Sequence, residues 1–336
     1  MAEIIDLNKD MAAYMPPEAP PANAVTVVVA VDNNYVPHLA ALIESIKEYF
    51  PQTRFLDFVV LDGGIHEINK KLLEKQFFMN FKNGSINYID CKDLYKNIKT
   101  HAYFTEATFY RISIVRLLPN HKKVLYLDTD IIVLSDISEL FDLTLGEKYI
   151  AAAAPDICMK EWIARGHKKT IPKRYKGFKG IVVSEYVKNH LGLGESAGDY
   201  FQAGVMLFDL ENFKEADIEK SAITDLTENK YWLLDQDVLN KCLKERTLAL
   251  DVSWNLVNGL EFFCKYMPDE WVQKTRRAFS NPKIVHYAGF DEKPWHSKSA
   301  PLAHYYWFFL RKTFWYEDIL KKLESLKKKK SLFSFF

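Results

Sequence analysis

Val25-Thr-Val-Val-Val-Ala-Val31 is nearly continuously apolar and β-branched, and it runs directly into Asp32-Asn-Asn-Tyr35. A run of that kind marks a strand buried on both faces of a largely parallel sheet. Pro37 and a helical pattern from His38 to Tyr49 follow. Strand, polar loop and helix in that order open an α/β nucleotide-binding unit. The loop lacks the glycine fingerprint of a dinucleotide site, which disfavours a Rossmann dehydrogenase. Ligands of open α/β sheets sit beyond the carboxyl ends of strands, so Ala30, Asp32, Asn34 and Tyr35 are placed to meet one. Asp32 can accept from a base or ribose and Tyr35 can stack on a base. The competing reading is that each only caps the loop.

Further along the chain the same grammar repeats. Phe55 to Leu61 predicts a second strand, ending in Asp62-Gly-Gly64, and a helix follows from about Glu67 to Phe78. Ile86 to Ile89 is a third, shorter strand. Thr105 to Leu118 reads as one helix ended by Pro119. Arg111 lies on it, and a cleft-facing Arg is the natural partner of phosphate or carboxylate. The fourth strand, Val124-Leu-Tyr-Leu-Asp128-Thr-Asp130, leaves a basic turn and ends in two carboxylates one residue apart. The strand period of two would point Asp128 and Asp130 the same way. Two carboxylates so held attract a hard divalent cation such as Mg²⁺ or Mn²⁺. Solvated turn acids are the competing reading of so short a motif.

Tyr149-Ile-Ala-Ala-Ala-Ala154 is a small-residue strand ending at Pro155-Asp156. Residues 158–199 then carry Arg165, Lys168, Lys169, Lys173, Arg174, Lys176 and Lys179, a long basic excursion of the kind that orders over a charged substrate. Tyr200 to Leu210 returns to a buried strand, with Ala203-Gly204 permitting close approach of the backbone. An amphipathic helix covers part of 211–229. Leu233-Leu-Asp-Gln-Asp237 opens another, where Asp235 and Asp237 are also ordinary first-turn acids. Val285-His-Tyr-Ala-Gly289 is a short strand whose His286 is a reasonable third ligand beside two aspartates, although a lone His is more often structural.

The 336 residues fit one large α/β domain or one and a half ordinary domains, with a substantial core either way. A net charge of +1 gives no argument for a nucleic-acid partner. Cys91, Cys158, Cys242 and Cys264 are widely spaced, which predicts reduced thiols, a cytoplasmic setting and no structural zinc. The N-terminus shows neither a secretory pattern nor a membrane span. Residues 1–24, rich in Ala and Pro, read as a flexible leader. Residues 301–336 read as an aromatic and basic helical tail that includes Lys321, Lys322 and Lys327 to Lys330 and closes on Leu332, Phe333, Phe335 and Phe336. Such a tail fits an interfacial anchor on an anionic membrane.

Five motifs in order give the chain a likeness: Ala30-x-Asp32-x-x-Tyr35, Leu-Tyr-Leu-Asp128-Thr-Asp130, Ala203-Gly-Val, Leu-Asp235-Gln-Asp, and His286-Tyr-x-Gly289-x-x-x-Lys293-Pro-Trp. Over about residues 25–300 the chain resembles glycosyltransferase family 8, in particular its bacterial lipopolysaccharide and lipooligosaccharide α-galactosyl- and α-glucosyltransferases. The resemblance implies a GT-A fold, an α/β/α sandwich around a mixed, mostly parallel sheet. It also implies a retaining transfer of galactose or glucose from a UDP-sugar to a lipid-linked glycan, with Mn²⁺ as cofactor and Mg²⁺ as second choice. By the same resemblance Ala30, Asp32, Asn34 and Tyr35 match the uridine set, and Asp128, Asp130 and His286 match the metal ligands. Gly289 and Lys293 match diphosphate contacts, and Arg111 and Asp235 match donor-sugar contacts. Gln236 would lie near the anomeric carbon and Asp156 near the acceptor, and Thr129, Gln202 and Ala203 belong to the donor site. Gln202 departs from the Asn common at its position, which puts the choice of sugar in question. Peripheral attachment to the inner face of the cell membrane is the expected location. The alternatives are a glycogenin-like self-glucosylating protein, an inactive nucleotide-sugar binder, and a nucleotidyltransferase, which would leave the His286–Trp295 motif unexplained.

Overall fold

The computed structural model describes residues 15–100, 105–175, 177–259, 265–289, 292–297 and 299–333, without the side chains of 196 and 326–333. Residues 1–14 of the leader, Lys176, Cys264, Phe335 and Phe336, and the side chains of Lys327 to Lys330, Leu332 and Phe333, therefore lie outside the described residues.

Among the described residues ten strands form two sheets: β1 (Ala24–Val31), β2 (Phe55–Asp62), β3 (Gly84–Asp90), β4 (Lys123–Leu127), β5 (Ile131–Val133), β6 (Ala151–Pro155), β7 (Phe201–Asp209), β8 (Thr247–Ala249), β9 (Leu256–Val257) and β10 (Ile284–His286). The larger sheet runs β3-β2-β1-β4-β7-β6-β8. It is parallel except where β7 lies antiparallel between β4 and β6. The smaller sheet is β5-β10-β9. The Val-rich runs predict a largely parallel sheet, and the mixed, mostly parallel arrangement is the one the family resemblance implies. β1 is buried along its whole length, and its side chains split between two cores. Val25, Val27, Val29 and Val31 join Leu125, Leu127, Val205 and Leu207 on one face. Val28 and Ala30 join Tyr126, Met206 and Phe208 on the other. Each fully buried Val contributes on the order of 1.5–3 kcal/mol, so the central strands anchor both layers.

Two expectations need correction. Thr105–Leu118 is not one helix: Ala107–Tyr110 is α-helical, Arg111–Ser113 is a 3₁₀ turn and Ile114–Leu117 is α-helical again. The break falls at Arg111, whose buried side chain bonds back to the Thr108 carbonyl at 3.3 Å. Nor do Asp128 and Asp130 lie on a strand. β4 stops at Leu127, and Asp128–Asp130 form the turn that carries the chain from the large sheet into β5 of the small one. The turn, not the strand period, aims them.

The basic excursion has its own structure. It contains a helix, Ile157–Ala164, which Asp156 caps by accepting from Met159 N at 2.8 Å. A bridge between Thr170 and Val182 follows. Its Tyr186 is tied to the main body, donating to Asp237 at 2.7 Å. At the other end of the chain, Tyr306, Phe309, Leu310 and Ile319 pack with Ile132, Val285 and Trp295 of the small-sheet core, and Leu323 is also buried. Among the described residues no helix is long and apolar enough to cross a membrane.

Candidate active site

A cleft of about 430 Å³ opens at the carboxyl ends of β1 and β4. Its lining gathers Ala30, Asp32, Tyr35, Arg111, Asp128, Thr129, Asp130, Asp156, Gln202, Ala203, Asp235, Gln236, His286, Gly289 and Lys293. Of the residues matched to the donor, metal and acceptor sites, Asn34 does not line it; it is exposed, and its N–H donates to Asp32 Oδ1 at 2.8 Å.

At one end of the cleft three ligand atoms converge. One oxygen each of Asp128 and Asp130 and a ring nitrogen of His286 lie within 4.8 Å of one another. Each carboxylate turns one oxygen to a cationic side chain and the other to His286. Asp128 Oδ1 accepts from Arg111 at 2.8 Å and from Tyr126 Oη at 2.9 Å, while Oδ2 faces His286 Nε2 at 3.7 Å. Asp130 Oδ2 accepts from Lys293 Nζ at 2.5 Å, while Oδ1 lies 3.2 Å from His286 Nε2. Burial works against ionisation of Asp130, but Lys293 and His286 outweigh it and hold its carboxyl well below the usual range. Two carboxylate oxygens and one imidazole nitrogen are a donor set suited to Mn²⁺ or Mg²⁺. The residues present thus fit a divalent cation.

Glycine at 204 is part of that fit. A Cβ there would run into His286 Cε1, and would lie 2.7 Å from His286 Nδ1 and 2.8 Å from Asp128 Oδ2. Only a residue without a side chain lets β7 pass this close to the ligands.

Farther into the cleft, Arg111 organises the acids. It is 6% exposed, stacks 4.4 Å over the Tyr126 ring, donates to the Ala203 carbonyl and pairs with Asp128 and, at 3.0 Å, Asp235. Burial opposes its charge, but Asp128, Tyr126 and Asp235 outweigh it and raise its pKa above the ordinary value. Asp235 also accepts from Thr108 Oγ1 at 2.5 Å. Burial nevertheless pushes its carboxyl up to about 6, against the lowering pull of Arg111 and Thr108. The Asp235–Cys242 helix is entered through Leu234, whose φ of +48° is costly for a residue with a side chain. No side-chain cap holds its first turn; Asp237 instead accepts from Leu233 N at 2.7 Å.

Gln236 is held at both ends of its amide. Its Oε1 accepts from Ala203 N at 3.0 Å, and its Nε2 donates to Asp156 Oδ2 at 3.1 Å and Tyr200 Oη at 3.3 Å. Burial raises the Asp156 pKa, against hydrogen bonds from Met159 and Gln236. The excursion contributes Trp162, Pro172, Arg174 and Tyr175 to the lining. Sequence reading missed Tyr126, Thr108 and Asn255. Tyr126 had a legible signal, since it lies two residues before Asp128, on the strand that leads into the Asp128–Asp130 turn. Thr108 and Asn255 had none, because their partners are distant in the chain.

A sequence profile of glycosyl transferase family 8 matches residues 26–299. The chain is 30% identical over 302 residues to general stress protein A of Bacillus subtilis, covering 86% of this chain and 94% of that protein. It is 25% identical over 315 residues to the lipopolysaccharide 1,2-glucosyltransferase of Escherichia coli, covering 91% and 83%. The apo structure of the bifunctional glycosyltransferase WbbM matches with a TM-score of 0.80 at 27% identity. That match covers 91% of this chain and 53% of the other, so this chain spans about half of that longer one. The architecture is GT-A-like, with helices on both faces of the mixed sheet.

Proposed function

Because the chain belongs to glycosyltransferase family 8 and is a hexosyltransferase, we propose that it moves galactose or glucose from a UDP-sugar to a sugar hydroxyl of a lipopolysaccharide-type or other lipid-linked glycan, with retention. The observation that carries this reading is the convergence of three ligand atoms, on Asp128, Asp130 and His286, in the cleft.

When bound, Mn²⁺ supplies charge neutralisation at the departing diphosphate. The chain's own groups do the rest. Asp32 and Tyr35, beside Ala30, meet the uridine. Lys293 Nζ commits two of its three N–H bonds to Asp130 and the Tyr287 carbonyl, which leaves one for a phosphate oxygen near Gly289. Arg111 fixes Asp128 and Asp235 and so shapes the donor-sugar pocket, with Gln202, Ala203 and Thr129 in its wall. Asp156 orients the acceptor.

Two features favour departure and attack on the same face of the sugar. An amide is a poor nucleophile, and that of Gln236 is already engaged by Ala203, Asp156 and Tyr200. Asp235 has Thr108 on one oxygen and Arg111 on the other. A glycosyl adduct trapped on Asp235 would overturn this choice.

The acceptor reading draws on the Escherichia coli relative, whose name states a lipopolysaccharide substrate, and on Arg174 in the cleft wall. The basic C-terminus would hold the enzyme at the anionic inner leaflet, each Lys near the surface contributing about 1 kcal/mol. Truncation after Ser325 spares the buried Leu323. Unchanged sedimentation of that truncated chain with anionic vesicles would sink the anchor. For the reaction itself, a panel of UDP-sugars assayed with Mn²⁺ and with chelator decides. Donor turnover that requires the cation and prefers UDP-galactose or UDP-glucose is the expected result, and cation-independent turnover the refuting one.

A further inference from the structure

The proposed cation site rests on His286 presenting a lone pair from Nε2, and the surrounding hydrogen bonds determine whether it can. Their polarity is anchored by a backbone amide. Gly204 N donates to Gln202 Oε1 at 2.5 Å. A backbone N–H can only donate, so the Gln202 atom facing it is the carbonyl oxygen. That same oxygen lies 2.5 Å from Asn255, which must therefore present its Nδ2 donor. The opposite end of the Asn255 amide, Oδ1, then faces His286 Nδ1 at 2.9 Å. A carbonyl oxygen only accepts, so Nδ1 carries a hydrogen. This excludes the Nε2–H tautomer, the neutral form with no lone pair on the side of Asp128 and Asp130.

Burial makes this chain of polarities binding. Asn255 is 2% exposed and His286 1%, so water cannot easily replace a partner that points the wrong way. Glycine at 204 serves the same end, since it brings the anchoring N–H and the imidazole ring into one narrow space.

We propose that Gln202 and Asn255 are positioning residues, a relay from the β7 backbone that holds the neutral His286 ring in the Nδ1–H form, so that the Nε2 lone pair faces Asp130 Oδ1, 3.2 Å away, across the space a divalent cation would fill. The relay rests on the reading of Asp128, Asp130 and His286 as the cation site. It gives Gln202 a task behind the metal ligand, distinct from any part in choosing the sugar.

The test uses the full chain with Mn²⁺ alone as probe. Outer partners of metal-bound His residues typically affect metal affinity by about 10–100-fold. Gln202→Met keeps the length and loses the carbonyl, so its Mn²⁺ affinity, read by calorimetry or by the paramagnetic resonance of free Mn²⁺, should fall by about that factor. Gln202→Glu keeps an oxygen for both donors and should restore binding. The second readout is ¹⁵N resonance of histidine-labelled, metal-free protein above the imidazole titration range. It should show His286 Nε2 unprotonated in the unsubstituted chain and a tautomer mixture in Gln202→Met.

Unchanged Mn²⁺ affinity in a folded Gln202→Met chain, or an Nε2–H signal in the unsubstituted chain, overturns the relay. If Gln202→Met does not melt cooperatively, Asn255→Ser takes its place in both measurements, and unchanged affinity there overturns the relay equally. Should the unsubstituted chain bind no Mn²⁺, the cation reading fails, and the tautomer signal still decides the relay.

Discussion

Two carboxylates at opposite ends of the large sheet, Asp57 and Asp130, show what separates a structural acid from a chemical one. Asp57 sits near the strand starts, where Thr26, Asp57 and Ser85 are in register across β1, β2 and β3. Its oxygens are fully taken, by Thr26 and His121 at 3.0 Å each on one and Ser85 at 3.0 Å on the other. Asp130 lies beyond the carboxyl ends, with one oxygen on Lys293 and the other facing His286 Nε2 at 3.2 Å on the wall of the cleft. Both carboxylates are hydrogen-bonded within the protein, but only Asp130 borders the cleft, beside a ring nitrogen that can itself be a ligand. The end of the sheet that gathers ligand atoms around a cleft is the end that can bind something.

Substitution can break this contrast. Asp130→Asn should have the largest effect, lowering donor turnover by about 1,000-fold, because it removes both an anionic ligand and the partner of Lys293. A variant that retains turnover within tenfold would put Asp130 in the same class as Asp57.

Asp235 sharpens the contrast: Thr108 donates to one oxygen, the other faces Arg111 Nε at 3.0 Å without accepting a hydrogen bond, and burial pushes the carboxyl from 3.8 up to about 6. The folded pKa exceeds the unfolded one, so the stability this group contributes is full below about pH 3.8 and is lost as pH rises through about 6. The swing is on the order of 3 kcal/mol at 1.36 kcal/mol per pKa unit. Urea titrations across that window should show it in the unsubstituted chain and not in Asp235→Asn.

Gly204→Ala comes next. Its methyl group must displace the His286 ring, and Mn²⁺ affinity should drop by about 10–100-fold. Calorimetry on the folded variant checks this, and an unchanged affinity would mean the ring can move without consequence.

The smallest effect belongs to the closed end. Asp57→Asn puts an amide donor among groups that already donate and should cost about 1–2 kcal/mol of stability. Turnover per folded molecule should stay unchanged, as measured by denaturation alongside an initial-rate assay.

The sequence made much of this visible for identifiable reasons. The burial of β1 was legible because both of its faces are apolar, and the sheet class followed. Asp128 and Asp130 could be found as a pair because their spacing is local, although the reason for their common direction is a turn between two sheets. Arg111 was found by type, but its helix was misread: the periodicity of Phe109, Ile112 and Val115 survives a 3₁₀ turn that pattern reading does not detect. Asn255 was invisible, since its importance depends on Gln202 and His286, 53 and 31 residues away. Local chemistry is written locally. The polarity of a hydrogen-bond chain is fixed only once the fold has closed.

The passage of the chain from β4 to β5 through Asp128–Asp130 has a mechanical consequence. The large sheet ends at Leu127, the small sheet begins at Ile131, and His286 ends β10, the strand that pairs with β5. A cation seated between them would clasp the two sheets together. By thermodynamic linkage its binding energy becomes cohesion between them, about 2.7 kcal/mol at a hundredfold excess over Kd. Chelation should therefore speed amide exchange in β5 and β10 while leaving β1 and β2 protected, so that the small sheet reports the state of the clasp.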